Sequence, residues 1–170
     1  MDELQAAILR AKLPHLREWN LRRRAIAEQY RVGLADLPGL VVPRDCPEHV
    51  YHAYVVRSPR RDSLAKHLAK AGIETSVRYP VPMHQMPIAR SDWDHWNELS
   101  FPIAERWCRE NLNLPIYPEI TQEQVEYVIA ATTQFGLAND FLIYNSNANT
   151  GQALEVQGVG GERLTLTHQA

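Results

Sequence analysis

The stretch Gly72-Ile73-Glu74-Thr75-Ser76-Val77-Arg78-Tyr79-Pro80-Val81-Pro82-Met83-His84 constrains the fold most. Gly72 can adopt the left-handed backbone that ends a helix. Ile73, Thr75, Val77 and Tyr79 then alternate with Glu74, Ser76 and Arg78, which predicts a strand with one apolar and one polar face. Pro80 and Pro82 have no N–H to give to a ladder, so pairing should stop there. A stiff loop is expected to follow and deliver Met83, His84 and Gln85 to a fixed place. Loops held in this way by a sheet often carry function.

The rest of the chain supplies a frame for that stretch. Leu4, Ala7, Ile8 and Ala11 share one helical face, and Pro14 should end or kink that helix. Leu16, Trp19, Arg23, Ile26 and Tyr30 predict a second, long amphipathic helix reaching about Leu37. A helix pattern already running at Met1 is expected of a C-terminal piece of something longer. Leu37-Pro38-Gly39 reads as a turn and Leu40–Val42 as a short edge strand. His49–Arg57, apolar on both faces, reads as a central strand. Asp62, Leu64, Leu68 and Ala71 outline a helix closed by Gly72. Residues 84 to 98, with Trp93, Trp96, Asp92, Asp94 and Glu98, read as a long surface loop. Ser100 is expected to cap a helix with Pro102 in its first turn and Ala104, Trp107 and Cys108 facing inward. Asn111–Pro115 is expected to be a strand. Thr121-Gln122-Glu123-Gln124 is a capping box, opening a helix that buries Val125, Val128, Ile129, Thr132 and Phe135 and stops at Gly136.

The resulting class is α+β, a two-layer sandwich: a small, mostly antiparallel sheet of three or four strands with helices on one face. Residues 1–136 form the domain. Residues 137–170 form a tail of uncertain structure in which Phe141–Tyr144, Ala153–Val156 and Leu164–Thr167 are strand-like.

Several function classes recede on these residues. A net charge of −2 disfavours a general nucleic-acid binder. Arg22, Arg23 and Arg24 fall on a helix with Glu18 and Glu28, which reads as a salt-bridged face. No apolar run approaches the length of a membrane span, and the N-terminus is not signal-like. Cys46 and Cys108 have no metal-type spacing and suit a reducing, cytoplasmic setting. His49 and His52 sit at odd separation on a predicted strand, so they point to opposite faces and cannot share an ion. Lys12, Lys66 and Lys70 fall at solvent-type helical positions, none placed as a desolvated nucleophile. No complete active site emerges. A half-site does: Tyr79 at the strand end and His84 after the proline loop offer stacking surface and hydrogen bonds for a sugar or base. The plainer alternative puts Tyr79 in the core and His84 on the surface.

Four segments together resemble one family. They are Met1–Ala7 with Leu13; Val50–Arg57 with Arg61, Asp62 and Leu64; Gly72-Ile73 through Tyr79-Pro80-Val81-Pro82-Met83-His84; and Leu112-Asn113-Leu114-Pro115-Ile116-Tyr117-Pro118 with Thr121 and Gln124. In order and spacing they are similar to the DegT/DnrJ/EryC1/StrS family of pyridoxal 5'-phosphate (PLP)-dependent sugar aminotransferases. The resemblance implies the small C-terminal domain of a fold type I transferase, with part of the helix joining it to a large domain. It implies a nucleotide-sugar substrate, an amino donor such as glutamate, PLP as cofactor, and a homodimer. The Schiff-base lysine and the phosphate-holding residues would belong to the missing large domain, so this chain alone is expected to be inactive and to bind no PLP covalently. Substrate contacts would come from Tyr79 and His84. Arg78 stands where relatives often have histidine, and its guanidinium fork suits phosphate or carboxylate. The same family includes sugar dehydratases, and a non-catalytic partner or relic domain is the other alternative.

Overall fold

The computed structural model describes residues 2–88, 99–146, 154–157 and 163–166. Trp93, Trp96, Asp92, Asp94 and Glu98 lie outside the described residues. The chain divides into two compact units, Met1–Gly136 and Leu137–Ala170.

In the first unit, helix α1 (Glu3–Lys12) passes through a single 3₁₀ turn, Leu13–His15, into α2 (Leu16–Leu34). Pro14 lies within that tighter turn. The apolar face of α1 forms as expected, yet it stays open: Leu4, Ile8 and Leu9 are all exposed. α2 buries Ile26, Ala27, Tyr30 and Leu34. Its run of three arginines is locally satisfied. Arg22 bonds Glu18 at 2.6 Å, Arg23 bonds Asn20 at 3.0 Å, and Arg24 donates to the carbonyls of Cys46, Pro47 and His49.

The sheet is antiparallel. Strand β1 (Tyr54–Arg57) pairs with β2 (Asn111–Leu114) in the register Tyr54 to Leu114 and Val56 to Leu112. Single antiparallel bridges extend it on both sides, Val41 to Arg57 and Ser76 to Asn113. The predicted central strand His49–Arg57 is therefore central but shorter. Tyr51 has φ +49°, which ends the extended run before Tyr54. His49 Nδ1 accepts the Tyr51 N–H at 2.9 Å, a turn contact rather than a metal ligand.

Helix α3 (Arg61–Lys70) buries Leu64 and Leu68, and Gly72 follows it with φ +74°, the left-handed stop read from the sequence. Helix α4 (Pro102–Glu110) leads directly into β2. The N-cap of α4 is Phe101, not Ser100, and no side-chain cap bond forms there. Only Cys108 of its expected inward residues is buried; Trp107 is half-exposed beneath the Arg57 guanidinium, 5.3 Å from its ring centroid. Helix α5 (Gln122–Ser146) opens with the reciprocal capping box: Gln124 N–H donates to Thr121 Oγ1 at 3.3 Å, and Thr121 N–H donates to Gln124 Oε1 at 3.0 Å. It does not stop at Gly136 but continues through the expected strand Phe141–Tyr144.

Tyr54, Val56, Leu112 and Leu114 lie on one face of the sheet and join Tyr30, Leu34, Leu64, Leu68, Val125 and Val128 in one core. The class is α+β. At Gly33 the ideal Cβ would stand 2.8 Å from Ile129 Cγ2, so α2 and α5 approach as closely as they do only because this position has no side chain. Within the second unit, β3 (Leu154–Gln157) pairs antiparallel with β4 (Arg163–Leu166). No helix among the described residues is long and apolar enough to cross a membrane.

Candidate functional site

The stretch after Gly72 alternates as its sequence requires, with Ile73 buried, Thr75 and Val77 half-buried, and Glu74, Ser76 and Arg78 exposed. It does not become a strand. Ser76 alone exchanges backbone bonds with Asn113, at 2.8 and 3.4 Å. β2 offers only a short edge, and the prolines beginning at Pro80 remove donors just beyond the bridge.

Tyr79 breaks the alternation. Its backbone is left-handed, φ +55°, and its side chain is 72% exposed. It neither ends an apolar strand face nor enters the core. Pro80, Val81 and Pro82 lead to a second 3₁₀ turn, Met83–Gln85, with Met83 exposed and His84 only 7% exposed. The plainer alternative from the sequence is thus inverted: the tyrosine is outside and the histidine inside. Arg78 is exposed beside them.

His84 packs against α4. Its Nε2 lies 3.2 Å from Glu105 Oε1, and its ring meets Phe101 edge-on with centroids 4.9 Å apart. The same Glu105 oxygen accepts the Phe101 N–H at 3.0 Å, so the carboxylate ties the helix start to the loop. Glu105 is the residue the sequence reading missed. An acid in the first turn of a helix was legible. Its contact with a histidine 21 positions away was not.

Between this loop and α4 lies an open groove of about 880 Å³, lined by Tyr79, Val81, Met83, His84, Phe101 and Trp107 among others. Its character is apolar and aromatic, with Tyr79, His84 and Ser100 as the polar residues of its lining. Such a surface suits stacking and van der Waals contact with a ring, oriented by few hydrogen bonds. A second cleft, about 790 Å³, lies between Gly72–Ser76 and the start of α5 and is more polar, with Tyr117, Gln124 and Tyr127 in its wall. At its edge the Glu123 carboxyl is held below the usual range by its own N–H and by the Thr121 hydroxyl.

No lysine lines either cleft. The chain's three lysines, Lys12, Lys66 and Lys70, are all exposed on helices. A Schiff-base lysine is commonly desolvated, and these three side chains are exposed. Among the described residues no group of three or more His, Cys, Asp or Glu is placed to hold a metal ion. Cys46 is exposed and Cys108 buried, both as free thiols.

Residues 1–133 match the DegT/DnrJ/EryC1/StrS aminotransferase family. The chain is 43% identical over 132 residues to the erythromycin biosynthesis sensory transduction protein EryC1 of Saccharopolyspora erythraea, covering 76% of this chain and 36% of that one. It is 43% identical over 137 residues to a dTDP-3-amino-3,4,6-trideoxy-alpha-D-glucose transaminase of Streptomyces venezuelae, covering 79% of this chain and 36% of that one. Its structure resembles that of S. venezuelae DesV in complex with a ketimine intermediate, with a TM-score of 0.75 and 43% identity over 80% of this chain and 37% of that one. It also resembles ntda from Bacillus subtilis with bound cofactor PMP, with a TM-score of 0.71 and 27% identity over 79% of this chain and 32% of that one. The chain therefore spans about a third of the length of the curated relatives it matches.

Proposed function

The chain belongs to the DegT/DnrJ/EryC1/StrS aminotransferase family, and from that membership we propose that residues 1–136 act as the C-terminal domain of a PLP-dependent sugar aminotransferase. The complete enzyme moves an amino group, typically from glutamate, to a keto carbon of a nucleotide sugar, and works as a homodimer in the cytoplasm. The observation that carries this reading is 43% identity to a transaminase named for a dTDP-linked amino sugar. The reactions named among the quoted relatives are amino transfers, which favours an aminotransferase over a dehydratase.

In this reading the chain contributes substrate contacts and no covalent chemistry. Tyr79 presents an exposed ring at the groove rim, His84 lines the groove, and Arg78 offers a guanidinium for a diphosphate or carboxylate. The isolated polypeptide of residues 1–170 is inactive. The test has two arms. Adding PLP to this polypeptide should give no internal-aldimine absorbance; a borohydride-reducible adduct on Lys12, Lys66 or Lys70 with measurable turnover overturns the reading. Joining residues 1–136 to the N-terminal two-thirds of the S. venezuelae transaminase should give amino transfer to a keto sugar nucleotide. Tyr79→Ala or His84→Ala should then raise KM for that substrate, and unchanged KM in both would remove them from the site.

A further inference from the structure

One carboxylate oxygen of α4 bonds both the proline-framed loop and the start of the helix. Glu105 Oε1 receives the Phe101 N–H at 3.0 Å and faces His84 Nε2 at 3.2 Å. An ionised carboxylate can only accept, so the histidine nitrogen turned toward it must carry the proton. A neutral imidazole has one N–H, which leaves the lone pair on Nδ1. No described residue bonds that nitrogen, whereas the ring itself is wedged edge-on against Phe101. The His84 and Glu105 side chains are 7% and 21% exposed, so the contact is shielded from competing water.

We infer that Glu105 is a positioning residue: it holds His84 in the Nε2–H tautomer and so leaves Nδ1 as a hydrogen-bond acceptor for the groove that His84 lines. The ligand group it suits is a donor, a sugar hydroxyl or amino group, rather than a carbonyl or phosphate oxygen. The assignment of a ligand rests on His84 being a substrate contact; the tautomer does not. The carboxylate does this while also satisfying an otherwise open amide at the helix start, so one side chain fixes both the loop and the ring.

Nitrogen NMR of the full chain, labelled at histidine, reads the tautomer directly, with His84→Gln identifying the signal. At about pH 8, above the ordinary imidazole range, the wild type and Glu105→Gln should both show Nε2–H, because an amide oxygen still accepts. Glu105→Ala should show a mixture of tautomers. A wild-type Nδ1–H form or imidazolium overturns the inference, as does an unchanged tautomer in Glu105→Ala. A wild-type Nδ1–H signal overturns the inference even if Glu105→Ala does not fold, and Glu105→Leu then supplies the comparison without an acceptor. In the joined enzyme described above, Glu105→Ala should raise KM for the nucleotide sugar about two- to tenfold with kcat little changed, the effect of one hydrogen bond, and Glu105→Gln should restore it. A His84→Ala enzyme with wild-type KM refutes the substrate reading while the tautomer result stands or falls separately.

Discussion

Replacing Tyr30 by phenylalanine separates packing from protonation in the core. Tyr30 is fully buried, with its ring centroid 5.1 Å from that of Tyr54 and its hydroxyl donating to the Pro115 carbonyl at 2.8 Å. Phenylalanine keeps the ring contacts and removes only the hydroxyl. At neutral pH the variant should be less stable by about 1–3 kcal/mol, the cost of leaving a shielded acceptor without its donor. Burial pushes the Tyr30 phenol well above its ordinary value, and the neighbouring Tyr117 adds to the shift. Because the folded pKa is raised, the wild-type contribution is fully present below the unfolded value near 10 and is lost as pH rises from there toward the folded value. Above about pH 10 the unfolded wild type releases a proton that the native state retains, so wild-type stability falls by about 1.4 kcal/mol per pH unit for this group. The phenylalanine variant lacks that loss. Tyr54, raised chiefly by burial as well, is present in both, and Tyr30 is the smallest of the causes of its shift, so most of its effect cancels. The stability gap should therefore narrow above about pH 10 and close roughly one to two units higher. Denaturant unfolding followed by tryptophan fluorescence from about pH 8 to about 11.5 measures it, since all four tryptophans lie within residues 1–136. A gap that stays constant or widens with pH refutes the argument.

Two further substitutions test how the helices are set. Thr121→Ala removes one half of the capping box of α5 and should cost about 0.5–2 kcal/mol in unfolding free energy; no loss would mean that the cap is made in some other way. Gly33→Ala places a Cβ against Ile129 and should destabilise by about 1–3 kcal/mol. Adding Ile129→Ala removes the three atoms nearest that Cβ, so a double-mutant cycle should show favourable coupling between the two changes, and strict additivity would refute the close approach.

How far the sequence carried the fold depends on the kind of signal. Reciprocal local chemistry was legible, as in Thr121 with Gln124 and the Gly72 stop. Glycine alone was not enough: Gly72 is left-handed and ends α3, whereas Gly136 lies inside α5 without a positive φ. The run Phe141–Tyr144 read as a strand because β-branched and aromatic residues carry that preference, and helix continuity overrode it. Alternation from Ile73 to Val77 gave the correct facing of each side chain, but facing does not guarantee a ladder, which needs a partner of matching length. At the candidate site the sequence indicated the proline-stiffened stretch from Tyr79 to His84 but not the disposition of the two side chains within it. The left-handed turn at Tyr79 reverses which residues face outward. The Glu105 contact joins segments whose proximity follows only from the packing of α4 beside the proline loop.

The backbone of Tyr79 has an energetic consequence. A left-handed conformation costs a side-chain-bearing residue about 1–2 kcal/mol relative to glycine, and a ring 72% exposed recovers little of it through burial. Within residues 1–136, then, Tyr79 lowers the stability of its own fold: Tyr79→Gly would relax the turn and raise the melting temperature while taking the ring from the groove rim. A tyrosine held at a loss in a free domain is a spring already set, and whatever meets that ring finds its backbone angle fixed in advance.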